Sequence, residues 1–218
     1  MISQKLKAFL ITGAMLGLTG CVTAVAPTDF AALREESPTS ILVVPPLNNT
    51  LSVNAPEFFL STVARPFGNR GYYIFPSYMV RKILEENGLS DAGLVHSTEP
   101  TRLGRLFGCD SVLLIKINRW DSQYILLTTT TTVSFDYEIK SCKTNLVLWQ
   151  GTQTMQYRPS QSNSGNAMAD LIASAVTAAI QKAAPNYIPL AQQANLFVTI
   201  AAPNALPAGP FGLEAPKP

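Results

Sequence analysis

The chain has 218 residues, 47% of them hydrophobic and 14% charged, with 16 Lys and Arg against 14 Asp and Glu. That length suits one ordinary domain with short appendages and excludes two large ones, while the apolar content excludes a disordered charged chain. With Lys5 and Lys7 in a removable leader, the mature chain carries 14 charges of each sign, so a basic nucleic-acid footprint is missing. One histidine and three cysteines are thin stock for a metal centre or a histidine-dependent triad.

Lys5 and Lys7 precede an apolar run from Ala8 to Leu18. It is too short to span a bilayer and suits the centre of a secretory signal, so residues 1–20 are predicted to be a signal peptide. The leader closes on Leu18, Thr19, Gly20 and Cys21. This resembles the bacterial lipobox, in which small residues let a peptidase reach the backbone and the cysteine thiol takes a diacylglyceryl group before its amine is acylated. Palmitate-type chains on Cys21 would anchor the protein durably, at about 0.8 kcal/mol per buried methylene. Val22 stands where an aspartate would commonly retain a lipoprotein in the inner membrane. The expected location is therefore the outer membrane, anchored by lipid and facing the periplasm. Residues 21–39, with small residues, prolines and the cluster Arg34-Glu35-Glu36, read as a lipidated tether.

Residues 40–200 read as one α/β domain. Ser40 to Val44 is a short apolar run stopped by Pro45-Pro46, the pattern of a strand buried on both faces. Pro56 to Ala64 presents a helical apolar face closed by Gly68 to Gly71, and Tyr72 to Phe75 reads as a second strand. A helix is predicted from Ser77 to the Asn87-Gly88 stop, and a short one from Thr98 to Phe107 with Thr98 as its cap. Val112 to Ile117, Tyr124 to Ile139 and Leu146 to Tyr157 are predicted to form an antiparallel meander, with turns near Asp121 to Gln123 and near Ser141 to Asn145. The threonines at 128–132 sit within this alternation and read as a solvated strand face. Met168 to Ile180 has helical spacing, and its alanines would allow close approach by the sheet or by a second copy. A last helix is expected from Pro189 to Phe197, followed by a Pro-rich tail over residues 201–218. The architecture predicted is a sandwich of two or three layers around a mixed sheet, a parallel βα part followed by the meander.

If the strands flanking Cys109 and Cys142 form one hairpin, residues whose numbers sum to about 251 face each other. These two cysteines meet that condition, which makes a cross-strand disulfide geometrically reasonable in an oxidising compartment. The alternative is a pair of small unlinked residues displaced by two positions. The same register moves the turn to residues 125 and 126.

No phosphate-binding loop, dinucleotide fingerprint or nucleophile elbow occurs. Glu85-Glu86 reads as solvated charge near a helix end, and His96 as a lone surface or capping residue. The expectation is a chain with no catalytic residues, no metal and no cofactor beyond its lipid. Tyr72, Tyr73, Trp120 and Trp149 are the candidate partner surface, although tryptophan flanking a hairpin usually covers the sheet, and core packing is the favoured reading of Trp120 and Trp149.

Several motifs together resemble a family of bacterial lipoproteins of unknown function, of the neisserial vaccine-candidate type. They are Ser40 to Thr50, Ala55 to Thr62, Arg65-Pro66, Arg70 to Pro76, Glu86 to Leu89, Phe107 to Leu113, Trp120 with Tyr124, Leu148-Trp149, Ala194-Asn195 and Leu206 to Phe211. The resemblance covers nearly all of the mature chain. It implies a fold similar to the amino-terminal domain of TolB and to CsgG and LpoB, and it implies a homodimer. The functional expectation is a non-enzymatic docking or assembly component of the envelope, with itself, with outer-membrane lipid or with a CsgG-like protein as partner. A small-ligand or glycan-binding module is the alternative. The chain departs from the family at Cys109, Cys142 and the end of the tail, where Phe211-Gly212-Leu213 replaces the expected Tyr-His-Pro.

Overall fold

The computed structural model describes residues 30–125, 128–157 and 187–212. In chain order its elements are α1 (Ala31–Glu36), β1 (Ser40–Val43), β2 (Leu47–Asn48), α2 (Ala55–Asn69), β3 (Tyr73–Ile74), α3 (Ser77–Glu86), α4 (Ala92–Ser97), α5 (Pro100–Phe107), β4 (Ser111–Ile125), β5 (Thr128–Ser141), β6 (Val147–Tyr157) and α6 (Ile188–Ile200). One mixed sheet runs β3-β1-β4-β5-β6, with β2 also pairing on β4. β1 is parallel to β3 and β4, while β4, β5 and β6 form the antiparallel meander.

The sheet separates two cores. On one face α2 and α6 cover Ile41, Val43, Leu113, Ile115, Ile117, Phe135, Tyr137 and Ile139. On the other, Val80, Leu84, Val95 and Leu103 from α3, α4 and α5 cover Leu42, Val44 and Val112. The fold therefore has three layers over its parallel half. Gly151 lets α6 approach β6 closely, because a Cβ there would lie 2.7 Å from Val198 Cγ2. The predicted helix ending at Ala64 continues to Asn69 through Pro66. Val63, Pro66 and Phe67 extend its buried face, and their packing outweighs the hydrogen bond that proline cannot make.

Tertiary partners overturn several local readings. The final part of the expected tether is folded: α1 buries Leu33, Glu36 accepts hydrogen bonds from Ser141 Oγ at 2.6 Å and from Thr144 Oγ1, and Asp110 accepts from Thr39 N, Thr39 Oγ1 and Ser40 Oγ. Partial burial pushes the Asp110 carboxyl up, but these bonds and the Lys143 ammonium 2.9 Å away hold it well below the usual range. The described part of the tail, through Gly212, is packed too. Leu206 is fully buried, and Gly209 N and Phe211 N donate to the carbonyls of Arg70 and Gly71. Gly71, at φ +94°, has no space for a Cβ beside Gly212.

β4 does not turn near Asp121 to Gln123: the threonine run keeps pairing with it, as far as Ile125 opposite Thr128. Thr130, Thr131 and Thr132 are buried rather than solvated, and Thr131 Oγ1 shares a 2.9 Å hydrogen bond with Ser122. Thr98 closes α4, a helix absent from the sequence reading, and α5 begins after Glu99. The last helix extends to Ile200. The signal peptide, the lipobox Leu18-Thr19-Gly20 with Cys21, and the Met168 to Ile180 helix lie outside the described residues.

Candidate functional site

α3, α4 and α5 pack on β1, β2 and β4, with α5 also meeting the end of β5, and they leave the outward residues Asp136 to Lys140 of β5 and Gln150 to Thr154 of β6 half-buried or exposed. Strict alternation puts Phe135, Tyr137 and Ile139 into the core and turns Asp136, Glu138 and Lys140 outward, beside Gln150, Thr152 and Thr154 of β6. The result is a hydrogen-bonded polar lattice. Asn118 Nδ2 donates to Asp136 Oδ2 at 2.7 Å and Thr152 Oγ1 to Asp136 Oδ1 at 3.1 Å. Gln150 Nε2 donates to Glu138 Oε2 at 3.0 Å, and Lys140 Nζ lies 2.9 Å from Glu138 Oε1. Partial burial raises the Glu138 carboxyl, but hydrogen bonds from Lys140 and Gln150 and the charges of Lys140 and Lys116 bring it below its ordinary value.

Asp136 and Glu138 are thus held as hydrogen-bond acceptors. A general acid at Glu138 would need the opposite shift. Lys116 is exposed among them, and the arrangement is a preformed pattern of fixed charge and amide groups suited to a polar partner surface. The Phe-Asp-Tyr-Glu-Ile-Lys alternation at 135–140 was the signal for this face in the sequence, but that reading used only its apolar half.

His96 stands at the rim, its Nε2 3.0 Å from Pro45 O. Desolvation lowers its pKa, with Lys116 acting in the same direction and the Pro45 bond and Glu138 opposing. The unfolded chain then binds the proton more readily. This stability is present above the free value of 6.5 and is lost as pH falls from there through the folded pKa. An NMR titration of the single imidazole should show a midpoint below 6.5, and a midpoint above it would contradict this environment.

The four aromatic residues expected to form a partner surface do not do so together. Tyr72, Trp120 and Trp149 are buried, and only Tyr73, 53% exposed, faces outward. Tyr72 Oη donates to Pro207 O at 3.0 Å, and burial, opposed by the Arg70 charge, pushes its phenol up to about 12. Trp149 Nε1 donates to Asn204 O at 2.9 Å, so the tail covers it. Trp120 packs 5.4 Å from Tyr187, between ring centroids, because a bulge at Asn118 shifts the strand's parity and turns both Ile117 and Trp120 inward.

Cys109 and Cys142 form a disulfide with their Cα atoms 6.2 Å apart. The local register sums to 252, one more than the sequence reading, so the two are diagonal neighbours. Among the described residues no group of three His, Cys, Asp or Glu is placed to hold a metal, and no helix is long and apolar enough to cross a membrane.

The sequence profile of the family described as "Putative lipoprotein GNA1162-like" matches residues 28–211. "Putative lipoprotein NMB1124/NMB1162" of Neisseria meningitidis serogroup B is 36% identical over 153 residues, covering 70% of this chain and 71% of the relative. The crystal structure of lipoprotein GNA1162 from N. meningitidis, 35% identical, superposes with a TM-score of 0.56 over 66% of this chain and 98% of the other. The C-terminal domain of LpoB from Salmonella enterica aligns over 55% of this chain and 84% of its own length, at 16% identity and a TM-score of 0.35.

Proposed function

The chain belongs to the GNA1162-like lipoprotein family, and from that membership we propose that it is an outer-membrane lipoprotein, acylated on Cys21 and facing the periplasm, that acts by docking and not by catalysis. Its partners on this reading are a second copy of itself or another periplasmic protein, such as a CsgG-like component of an envelope assembly. The observation that carries the reading is the coincidence of the family match over residues 28–211 with a complete lipobox at Leu18 to Cys21. The polar lattice on the open half of the sheet supports docking, because its side chains are already hydrogen-bonded to one another and lose little freedom when covered. Trp120 and Trp149, on which a glycan-binding reading would rest, are buried.

Metabolic labelling with palmitate should mark the wild-type protein and send it to the outer-membrane fraction. Cys21→Ser should remove the label and release the protein from that fraction. An unlabelled wild-type chain with unchanged fractionation of the variant would remove the anchor and the location together. Affinity purification from detergent-solubilised envelopes should recover a complex, and recovery of the lone monomer would count against docking.

A further inference from the structure

Strand pairing sets one row of residues across the whole sheet at a single end. Tyr73 lies opposite Ser40, Ile41 opposite Ser111, Ser111 opposite Ser141, and Lys140 opposite Val147. The chain enters the domain at this row. Glu36, at the end of α1, accepts hydrogen bonds from Ser141 and Thr144, and Tyr73 N donates to Thr39 O at 2.9 Å. The tail comes to the same end, where Phe211 N donates to Gly71 O at 3.1 Å.

Both flanks of the entry point expose apolar side chains. On the β3 side Tyr73 is 53% exposed and Phe211 71%, and on the β6 side Leu146 is 54% exposed and Val147 43%. Between them the charges balance: α1 presents Arg34 and Glu35 to solvent, and Lys143 Nζ lies 2.9 Å from Asp110 Oδ1. The chain that precedes the domain indicates what covers these groups. Eight residues separate Phe30 from Cys21, and at about 3.5 Å per residue they keep the start of α1 within roughly 30 Å of an acyl chain on that cysteine. The sheet is longer than that, since the 15 residues of β4 run about 50 Å. The row at the entry point is therefore the end nearest the lipid. A tether this short presents the bilayer at high effective concentration, so a few exposed apolar groups suffice to hold a contact. Aromatic rings beside a charge-balanced polar surface suit the headgroup layer, where apolar bodies are buried while charges stay wet.

We propose that this end of the domain lies against the membrane, with Tyr73, Phe211, Leu146 and Val147 seated in the headgroup layer of a zwitterionic phospholipid surface. The loop between β2 and α2, with Leu51 102% exposed, then lies toward the opposite end, because β2 pairs with Lys116 and Ile117, well beyond Ser111 along β4. The proposal rests on the Cys21 anchor proposed above and specifies the surface which that anchor brings to the lipid.

The test is fluorescence quenching of the full-length acylated chain in vesicles of phosphatidylethanolamine and phosphatidylglycerol, with an environment-sensitive dye on Leu146→Cys, Phe211→Cys or Leu51→Cys. Cys109 and Cys142 are bonded to each other, so the introduced thiol takes the dye. Nitroxide-labelled lipid should quench the dye on Leu146→Cys and Phe211→Cys roughly threefold more strongly than on Leu51→Cys, with a blue-shifted emission at the first two positions. Adding Phe211→Asp to the Leu146→Cys chain should remove about half of its quenching while leaving the melting temperature unchanged, because Phe211 is mostly exposed. Equal quenching at the three positions, stronger quenching on Leu51→Cys, or no effect of Phe211→Asp would each overturn the proposal. Flotation with the vesicles reads the anchor separately: a chain that floats with its dyes unquenched would overturn this orientation and leave the anchor standing, whereas a wild-type chain that does not float would remove both.

Discussion

Replacing Asn195 with alanine is expected to lower the unfolding free energy by about 2 to 5 kcal/mol, the sum of an orphaned buried hydroxyl and a small cavity. Asn195 is fully buried on α6, between the sheet and α2. Its Oδ1 accepts from Tyr137 Oη at 2.9 Å, and its Nδ2 donates to Thr62 Oγ1 at 2.8 Å, which in turn donates to Phe59 O at 2.6 Å. Burial, reinforced by the charge of Asp136, raises the Tyr137 phenol well above its ordinary pKa, so it serves as a neutral donor that needs an acceptor. Asn195→Ala removes that acceptor in the middle of an apolar cluster. Tyr137→Phe should cost less, and the double variant should lose less than the sum of the two singles, because the second change relieves an unmet group created by the first. Urea titrations followed by the fluorescence of buried Trp120 and Trp149 would measure this. A shift below about 0.5 kcal/mol, the range of ordinary surface changes, would mean that this relay does not hold α6 to the sheet.

Removing the Cys109–Cys142 bond should cost roughly 3 to 4 kcal/mol, the chain-entropy value for a loop of the 33-residue separation it closes. For a chain of this size that corresponds to a fall in Tm of roughly 10 °C. The bond joins the residue after the Gly108 cap of α5 to the end of β5, and so secures the helical layer over the parallel half of the sheet. Gly104 packs so closely on Cys142 that a Cβ there would lie 3.0 Å from the Cys142 Cβ. Both cysteines are nearly buried, so a reductant should act slowly on the native protein and quickly after unfolding. A Cys109→Ala/Cys142→Ala chain with an unchanged melting curve would rule out a stabilising bond, and two free thiols in non-reduced native protein by mass spectrometry would rule out the bond itself.

Three of the four aromatic residues expected at the surface are buried. Trp149 and Tyr72 are covered by the tail through Asn204 and Pro207, and Trp120 is turned inward by one extra residue in β4. None of these contacts has a local pattern. The tail residues are ordinary turn formers, and a bulge at Asn118 can be seen only when β4 is set against β5. Likewise, nothing in Arg34-Glu35-Glu36 indicates that Glu36 meets Ser141 and Thr144, 105 and 108 residues away.

What this sequence determined by itself is whatever the chain's own period encodes. The two-residue alternation of β5 assigned its inner and outer faces, the apolar run at Ser40 to Val44 made a strand buried on both sides, and the turn before β6 was readable from Asn145, which adopts φ +64°. Tertiary structure alone decided which faces are covered, that the segment before β1 and the tail are parts of the domain, and that the threonines at 130–132 are buried. Those outcomes depend on free energies of contact between residues many tens of positions apart, and a periodic pattern carries no information about its partner.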